Sequence, residues 1–214
     1  DGGRTAVFSG RIYDEQAKFN LRNLAQHGSV QGDAYQALRK LLAMLALPPG
    51  LADTIAARVA DAQVALAPDG TRLHGPRAPM IETVDDLLSL PGVTPAIVNS
   101  LRPCVTVLPQ VTGVNANTAS AEVLAAVVPA LDPNHARALV NQRDRGVWFQ
   151  NGADFANRLA NPEIQVPDRQ IVVNSDWFLV KGAVTLERSV IATQALLQRN
   201  GRNNPEIVWT REFH

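Results

Sequence analysis

Residues Thr5 to Asp14 alternate, with Val7, Ser9, Arg11 and Tyr13 on one side and Ala6, Phe8, Gly10 and Ile12 on the other. A period of two carried by aromatic and β-branched residues predicts a strand. A polar, asparagine-bearing connection follows, Phe19-Asn20-Leu21-Arg22-Asn23-Leu24, and then the period changes. Tyr35, Leu38, Leu41, Leu42 and Leu45 fall on one face of a helix for which Asp33 is the N-cap candidate. Pro48-Pro49-Gly50 breaks it, and Leu51, Ile55, Val59 and Leu66 mark a second helix ending at Pro68-Asp69-Gly70. The stretch from Ala67 to Pro79 reads as a loop stiffened by Pro and Gly. Four shorter helical segments come next: one capped by Thr83 with Asp85 and Asp86 in its first turn, one opened by Thr94-Pro95, one capped by Thr118, and one opened by Asp132-Pro133. In the last of these Ala136, Leu139 and Val140 make a narrow apolar stripe, with Arg137, Arg143 and Arg145 facing elsewhere.

From Gln170 the character returns to β. Ile171–Val180 and Val184–Leu197 are predicted strands, and Asn200-Gly201 precedes a third run holding Ile207, Trp209 and Phe213. One strand at the start of a chain cannot stand alone. It pairs most economically with the C-terminal strands, which makes the helical middle an insertion into a β-sheet domain. Phe8, Trp177 and Trp209 are then expected in the packing of that sheet.

Composition narrows the function classes. Lys plus Arg and Asp plus Glu both number 20, so the formal net charge is zero, against the basic surplus of proteins that coat nucleic acid or bind acidic membranes. The longest uninterrupted apolar run, Leu41 to Leu47, is seven residues, where a membrane span needs about twenty. Cys104 is the single cysteine and lies in an apolar stretch, so an inert buried thiol is expected. A beginning at Asp1-Gly2-Gly3 without Met suggests a processed or truncated chain.

No catalytic constellation emerges. His27, His74, His135 and His214 are scattered, and no pair has the spacing of a zinc site. Asp85-Asp86 at a helix start serves the helix dipole better than acid–base chemistry. The expectation is therefore no enzyme, with no catalytic, cofactor-binding or metal-binding residue. Leu87 to Val93, followed by Ala96 and Ile97, looks like a helix-hairpin-helix, a turn that can aim backbone N–H groups at a phosphate. Val114 to Leu124, with Arg143, Gly146, Phe149, Asp154 and Phe155 beyond it, resembles the repeat of competence-type DNA receptors. A helix-hairpin-helix nucleic-acid-binding module is thus the alternative function. It is disfavoured because Thr94 to Leu101 holds neither Lys nor Arg, and phosphate binding draws most of its affinity from charge neutralisation.

The same segments, in this order and framed by strands, resemble one family over nearly the whole chain. Ile12 to Leu24 is similar to its I-x-D-E-x-G-K-F-N-L-N-N-L opening, Ser89 to Val93 to its S-L-P-G-V turn, and Val105 to Pro109 to its V-T-V-L-P exit. Val114 to Ala119 matches V-N-x-N-T-A, Trp177 to Val180 stands in place of Y-F-x-V, and the closing Leu196–Arg199 and Val208–Glu212 fit as well. The chain thus resembles the K-type minor pseudopilins of bacterial type II secretion systems, general secretion pathway protein K.

The resemblance implies an α+β fold: a pilin-like antiparallel sheet head, residues 1–30 and 165–214, interrupted by an inserted α-helical domain, residues 31–164, with helix-hairpin-helix, SAM-like elements. It implies a non-catalytic protein that caps the tip of the pseudopilus and promotes its assembly and protein export across the outer membrane. The implied partners are the I-type and J-type minor pseudopilins and secreted substrates, with no nucleic acid. The implied location is a periplasmic head on an inner-membrane anchor, an N-terminal hydrophobic helix that this segment does not contain, so that the segment itself makes no membrane contact. Family members usually carry an acidic calcium-binding segment, but here the corresponding residues 60–70 offer only Asp61 and Asp69. Calcium takes six to eight oxygen ligands, so the expectation is no metal and no cofactor, with Pro and Gly in the Ala67–Pro79 loop standing in for the ion.

Overall fold

A computed structural model describes residues 6–159, 161, 164, 166, 169–186, 189–201 and 204–213. His214 and the opening Asp1-Gly2-Gly3 lie outside the described residues. The chain forms two compact units, one built from residues 1–16 and 174–214 and the other from Ala17–Val173.

The first strand, β1 (Ala6–Asp14), belongs to the first unit. The chain then enters the second unit through β2 (Phe19–Asn20), β3 (Ala25–Gln26) and β4 (Ser29–Val30). β3 and β4 form a hairpin whose two turn residues, His27 and Gly28, both have positive φ, +53° and +77°, as a two-residue type I′ turn requires. Helix α1 (Gly32–Met44) buries Ala34, Ala37, Leu38, Leu41 and Leu42, and α2 (Leu51–Asp61) buries Leu51, Ile55 and Val59. α2 ends at Asp61 rather than reaching Leu66. Ala65–Leu66 is instead β5, antiparallel to β6 (Arg72–His74), because Leu66 N–H is drawn to the His27 carbonyl at 3.1 Å.

A 3₁₀ helix (Val84–Ser89) and α3 (Pro95–Leu101) flank Gly92, whose φ is +78°. Asp86 accepts from the Thr83 N–H and Thr94 caps α3 through Ile97 N–H. The first arm is a 3₁₀ helix, so the segment is not a pair of α-helices. Next come β7 (Val105–Thr106), β8 (Val114–Asn115), α4 (Ala121–Val127), α5 (Pro133–Asp144), α6 (Gly152–Arg158) and β9 (Ile171–Val172). Asp132 caps α5 through Asn134 and His135 N–H groups at 2.7 and 3.2 Å. Ser120, not Thr118, caps α4, because Asn115 holds residues 117–119 in a turn and delays the helix. α1 packs on α2 and α4, and α4 on α5. Leu38, Leu41, Leu42, Leu101, Leu124 and Phe155 are among the wholly buried side chains of this unit.

The chain returns to the first unit as β10 (Trp177–Leu186), β11 (Ser189–Gln198) and β12 (Glu206–Phe213). The expected strands Ile171–Val180 and Val184–Leu197 are therefore redivided: residues 171–172 pair with β8 in the helical unit, and Val184 continues β10. The sheet is antiparallel throughout in the order β1-β10-β11-β12. β1 and the C-terminal strands thus share one sheet, as the expected pairing of the lone first strand requires. Asn200-Gly201 lies in the β11–β12 connection with Gly201 at φ +64°. Val208 is an extra, bulged residue, since Leu197 faces Ile207 while Leu196 faces Trp209.

The units divide at Gln16/Ala17 and Val173/Asn174, not at 30/31 and 164/165. The described residues between those boundaries belong to the helical unit. Phe19, Leu21, Leu24 and Ala25 are buried in it, and β2 runs parallel to β7. At the far end Ile171 is buried in the same core while β9 runs parallel to β8.

Candidate partner interface

The register of the sheet sorts its side chains onto two faces of different chemistry. Phe8, Gly10 and Ile12 of β1 oppose Val184, Gly182 and Val180 of β10, which oppose Ile191, Thr193 and Ala195 of β11. Leu197 and Ile207 extend the same face. None of these residues is charged; Asp14 and Glu212 stand at its margins. The other face carries Arg11, Tyr13, Lys181, Gln194, Trp209 and Arg211. There the Lys181 ammonium lies 5.3 Å from the Tyr13 ring centroid and the Arg211 guanidinium 4.9 Å from that of Trp209. The same face also holds Leu196 and Trp177, 2% and 3% exposed, so it mixes buried apolar side chains with charged ones.

On the uncharged face Phe8 is 73%, Ile12 70%, Ile207 63% and Ile191 46% exposed. Phe8 is therefore not a core residue. Its ring lies over the two glycines beside it, so that a Cβ added at Gly10 or Gly182 would sit 3.4 Å from ring carbons. Trp177 is buried and Trp209 partly so. Scattered exposed apolar residues are ordinary, whereas this run of uncharged positions continues from strand to strand and is the candidate interaction surface.

The other sequence candidates serve the fold. Asp85 holds Arg102, the C-cap residue of α3, at 2.6 and 3.1 Å. Cys104 is buried, and desolvation first, with the Glu122 charge second, raises its thiol pKa. His74 approaches the Gly75 carbonyl, and His27 occupies a turn. Phe149 and Phe155 stack edge to face at 5.0 Å, with Arg158 lying 5.0 Å from the Phe149 centroid and paired to Asp154 at 2.6 Å. Gly146 takes φ +95° after α5. Among the described residues no three His, Cys, Asp or Glu side chains are grouped to hold a metal ion.

Three polar residues whose tertiary partners the sequence does not reveal organise the helical unit. Asn20 donates to the Gln110 carbonyl at 2.8 Å and Thr112 Oγ1 at 3.1 Å while accepting from the Leu108 N–H. Asn117 donates to the carbonyls of Phe149 and Val173, and accepts from the Phe149 N–H. Arg143, expected to face away from the core, is 7% exposed and donates to the carbonyls of Ala116 and Ala119. Asn20, set between Phe19 and Leu21, carries a signal of burial in the sequence, whereas Arg143, within the polar run Asn141–Arg145, carries none.

Comparison with known proteins gives a consistent neighbourhood. Family models described as type II secretion system (T2SS), protein K, match residues 17–110 and 114–174. Type II secretion system protein K of Pseudomonas aeruginosa is 28% identical over 216 residues, spanning 94% of this chain and 63% of that protein. The chain therefore covers less than two thirds of that relative's length. A solved chain from the crystal structure of the GspK-GspI-GspJ complex of the enterotoxigenic Escherichia coli type 2 secretion system superposes with a TM-score of 0.71 at 20% identity, covering 100% of this chain and 84% of that one.

Proposed function

The chain belongs to the protein K family of the type II secretion system, and from that premise we propose that it is a non-catalytic minor pseudopilin head that caps the pseudopilus tip and promotes its assembly. The observation that carries this reading is the uncharged face of the sheet unit, in a chain that also carries an inserted helical unit. A head that works by packing needs an apolar surface and a shape unlike that of a repeating stem subunit. The sheet supplies the first and the insertion the second.

In this reading a hydrophobic helix from the part of the protein outside this segment covers some of the uncharged face and anchors the head at the inner membrane. The head stands in the periplasm. Its partners are the I-type and J-type minor pseudopilins, the kind of assembly named for the solved structural neighbour, and it touches secreted substrates on their way out. Catalysis has no place in it, since Asp85, Asp86 and Cys104 are each occupied structurally.

The test is co-purification with the I-type and J-type heads of the same secretion system, followed by size-exclusion chromatography with light scattering. A 1:1:1 species at micromolar concentration is expected. Three separate monomers at that concentration would remove the tip role.

A further inference from the structure

The resemblance implies a calcium-bound acidic loop after α2, and the residues of this chain do not fit one. Between Asp61 and Met80 the carboxylates are Asp61 and Asp69, and the same stretch carries Arg72 and Arg77. Asp69 Oδ1 accepts from the Thr71 N–H at 2.9 Å inside its own turn. The Arg72 guanidinium lies over Gly75, close enough that a Cβ there would meet Nη2 at 2.9 Å. A hard cation that takes six to eight oxygens finds two separated carboxylates and two competing guanidinium groups.

Other contacts hold the loop. The Asp61 carbonyl, at the end of α2, accepts from both Arg77 and Ala78 N–H groups, at 2.6 and 3.2 Å. Arg58, one turn earlier, donates through Nε to the Pro79 carbonyl at 3.0 Å. These bonds tie the outgoing end of the loop to the helix from which it departs. At the incoming end Gln63 bridges to the β3–β4 hairpin, donating to the Ala25 carbonyl at 2.8 Å and accepting from the Gly28 N–H at 3.4 Å. Leu66 N–H adds a bond to the His27 carbonyl. Gly28 is required there, because a Cβ would fall 2.8 Å from the Ala65 Cβ.

We infer that in this protein the Asp61–Met80 loop is locked by a metal-free latch, with Gln63 and Arg58 as its side-chain bolts and the Asp61 carbonyl as its hinge. The Pro and Gly residues expected to stiffen the loop shape its turn; the hydrogen bonds fix its position. The helical unit is accordingly indifferent to calcium.

Trypsin reads the latch directly, since Arg72 and Arg77 are exposed cleavage sites within the loop. Cleavage after these residues in the folded chain is expected at one rate in EDTA and in millimolar calcium, with the thermal midpoint equally unmoved. Gln63→Ala is expected to speed cleavage about fivefold in both buffers, the population change from losing about one net hydrogen bond. Arg58→Met, which keeps the aliphatic stem, is expected to act in the same direction. Calcium that slows cleavage or raises the midpoint would overturn the inference, and so would cleavage rates unchanged in both variants.

Discussion

Ser175 Oγ donates to Asp14 Oδ2 at 2.7 Å, joining residues 161 positions apart. Asp14 Oδ1 also accepts from the Gln16 N–H, and the Gln16 side chain in turn accepts from the Asp176 N–H at 2.7 Å. The chain leaves the sheet unit just after these residues and re-enters just before them, so the cluster closes the insertion at its root. Asp14→Ala removes two acceptors beside a buried serine. It is expected to lower the stability of the sheet unit by about 1–3 kcal/mol. Urea unfolding followed by Trp177 and Trp209 fluorescence checks this, with Trp148 replaced by Phe to silence the helical unit.

Arg143 invites the opposite expectation from its sequence setting, where three arginines in one helix read as a solvated face. Its guanidinium instead reaches the Ala119 carbonyl at 2.6 Å and the Ala116 carbonyl at 3.0 Å. The ion pair to Asp144 is a lesser matter, because Asp144 is largely exposed. Arg143→Met is expected to destabilise the helical unit by roughly 2–4 kcal/mol, having left carbonyls unpaired inside it. Arg143→Lys recovers only part of that loss, since Nη1 alone reaches both carbonyls while Nε holds Asp144, and a single shorter ammonium cannot occupy both nitrogen positions. Far-UV circular dichroism melts of the three proteins give the order.

The contrast shows what was legible. Alternation in residues 5–14 and the β-rich composition from residue 170 are local signals, and they located the sheet and the insertion, although residues 171–172 pair in the helical unit. Caps at Thr94 and Asp132 are local too, and both stand in the structure. Domain boundaries were misplaced by a dozen residues or so because Phe19, Leu21 and Leu24 have no pattern that tells which core receives them. The roles of Asn20, Asn117 and Arg143 depend on carbonyls brought near by tertiary folding, which spacing along the chain does not encode. The exposed Phe8 was unreadable for a related reason: alternation identifies an apolar face but not whether anything covers it.

Acid exposes another local device. Asp154 accepts from the Gln150 N–H at 2.9 Å and from Arg158, and these bonds, the backbone one first, hold its carboxyl below the usual value of 3.8. A depressed carboxylate pKa contributes stability that is fully present above the unfolded-state value and is lost as pH falls through the folded-state one. The α6 end of the helical unit should therefore show a constant difference between the parent and Asp154→Asn from neutral pH down to about pH 5. The difference should then shrink as pH drops below 3.8. Thermal midpoints measured at stepped pH test the sign; a gap that widens in acid would refute it.

The uncharged sheet face supplies the prediction closest to function. Phe8 and Ile12 are held on an edge strand, so truncating them disturbs no buried layer, yet they are the most exposed of its large apolar groups. Phe8→Ser and Ile12→Ser together are expected to leave the fold and the melting of the helical unit unchanged while reducing binding of the apolar dye ANS to the isolated head. Phe8→Ala alone should cost the sheet about 0.5–1 kcal/mol, because the ring that covers Gly10 and Gly182 is a cross-strand partner. In the full-length protein the double serine variant should weaken assembly with the partner heads, read as an increased dissociation constant. Arg11→Ser on the opposite, charged face of the same strand is the matched control, and an equal loss there would detach the interaction from the apolar face.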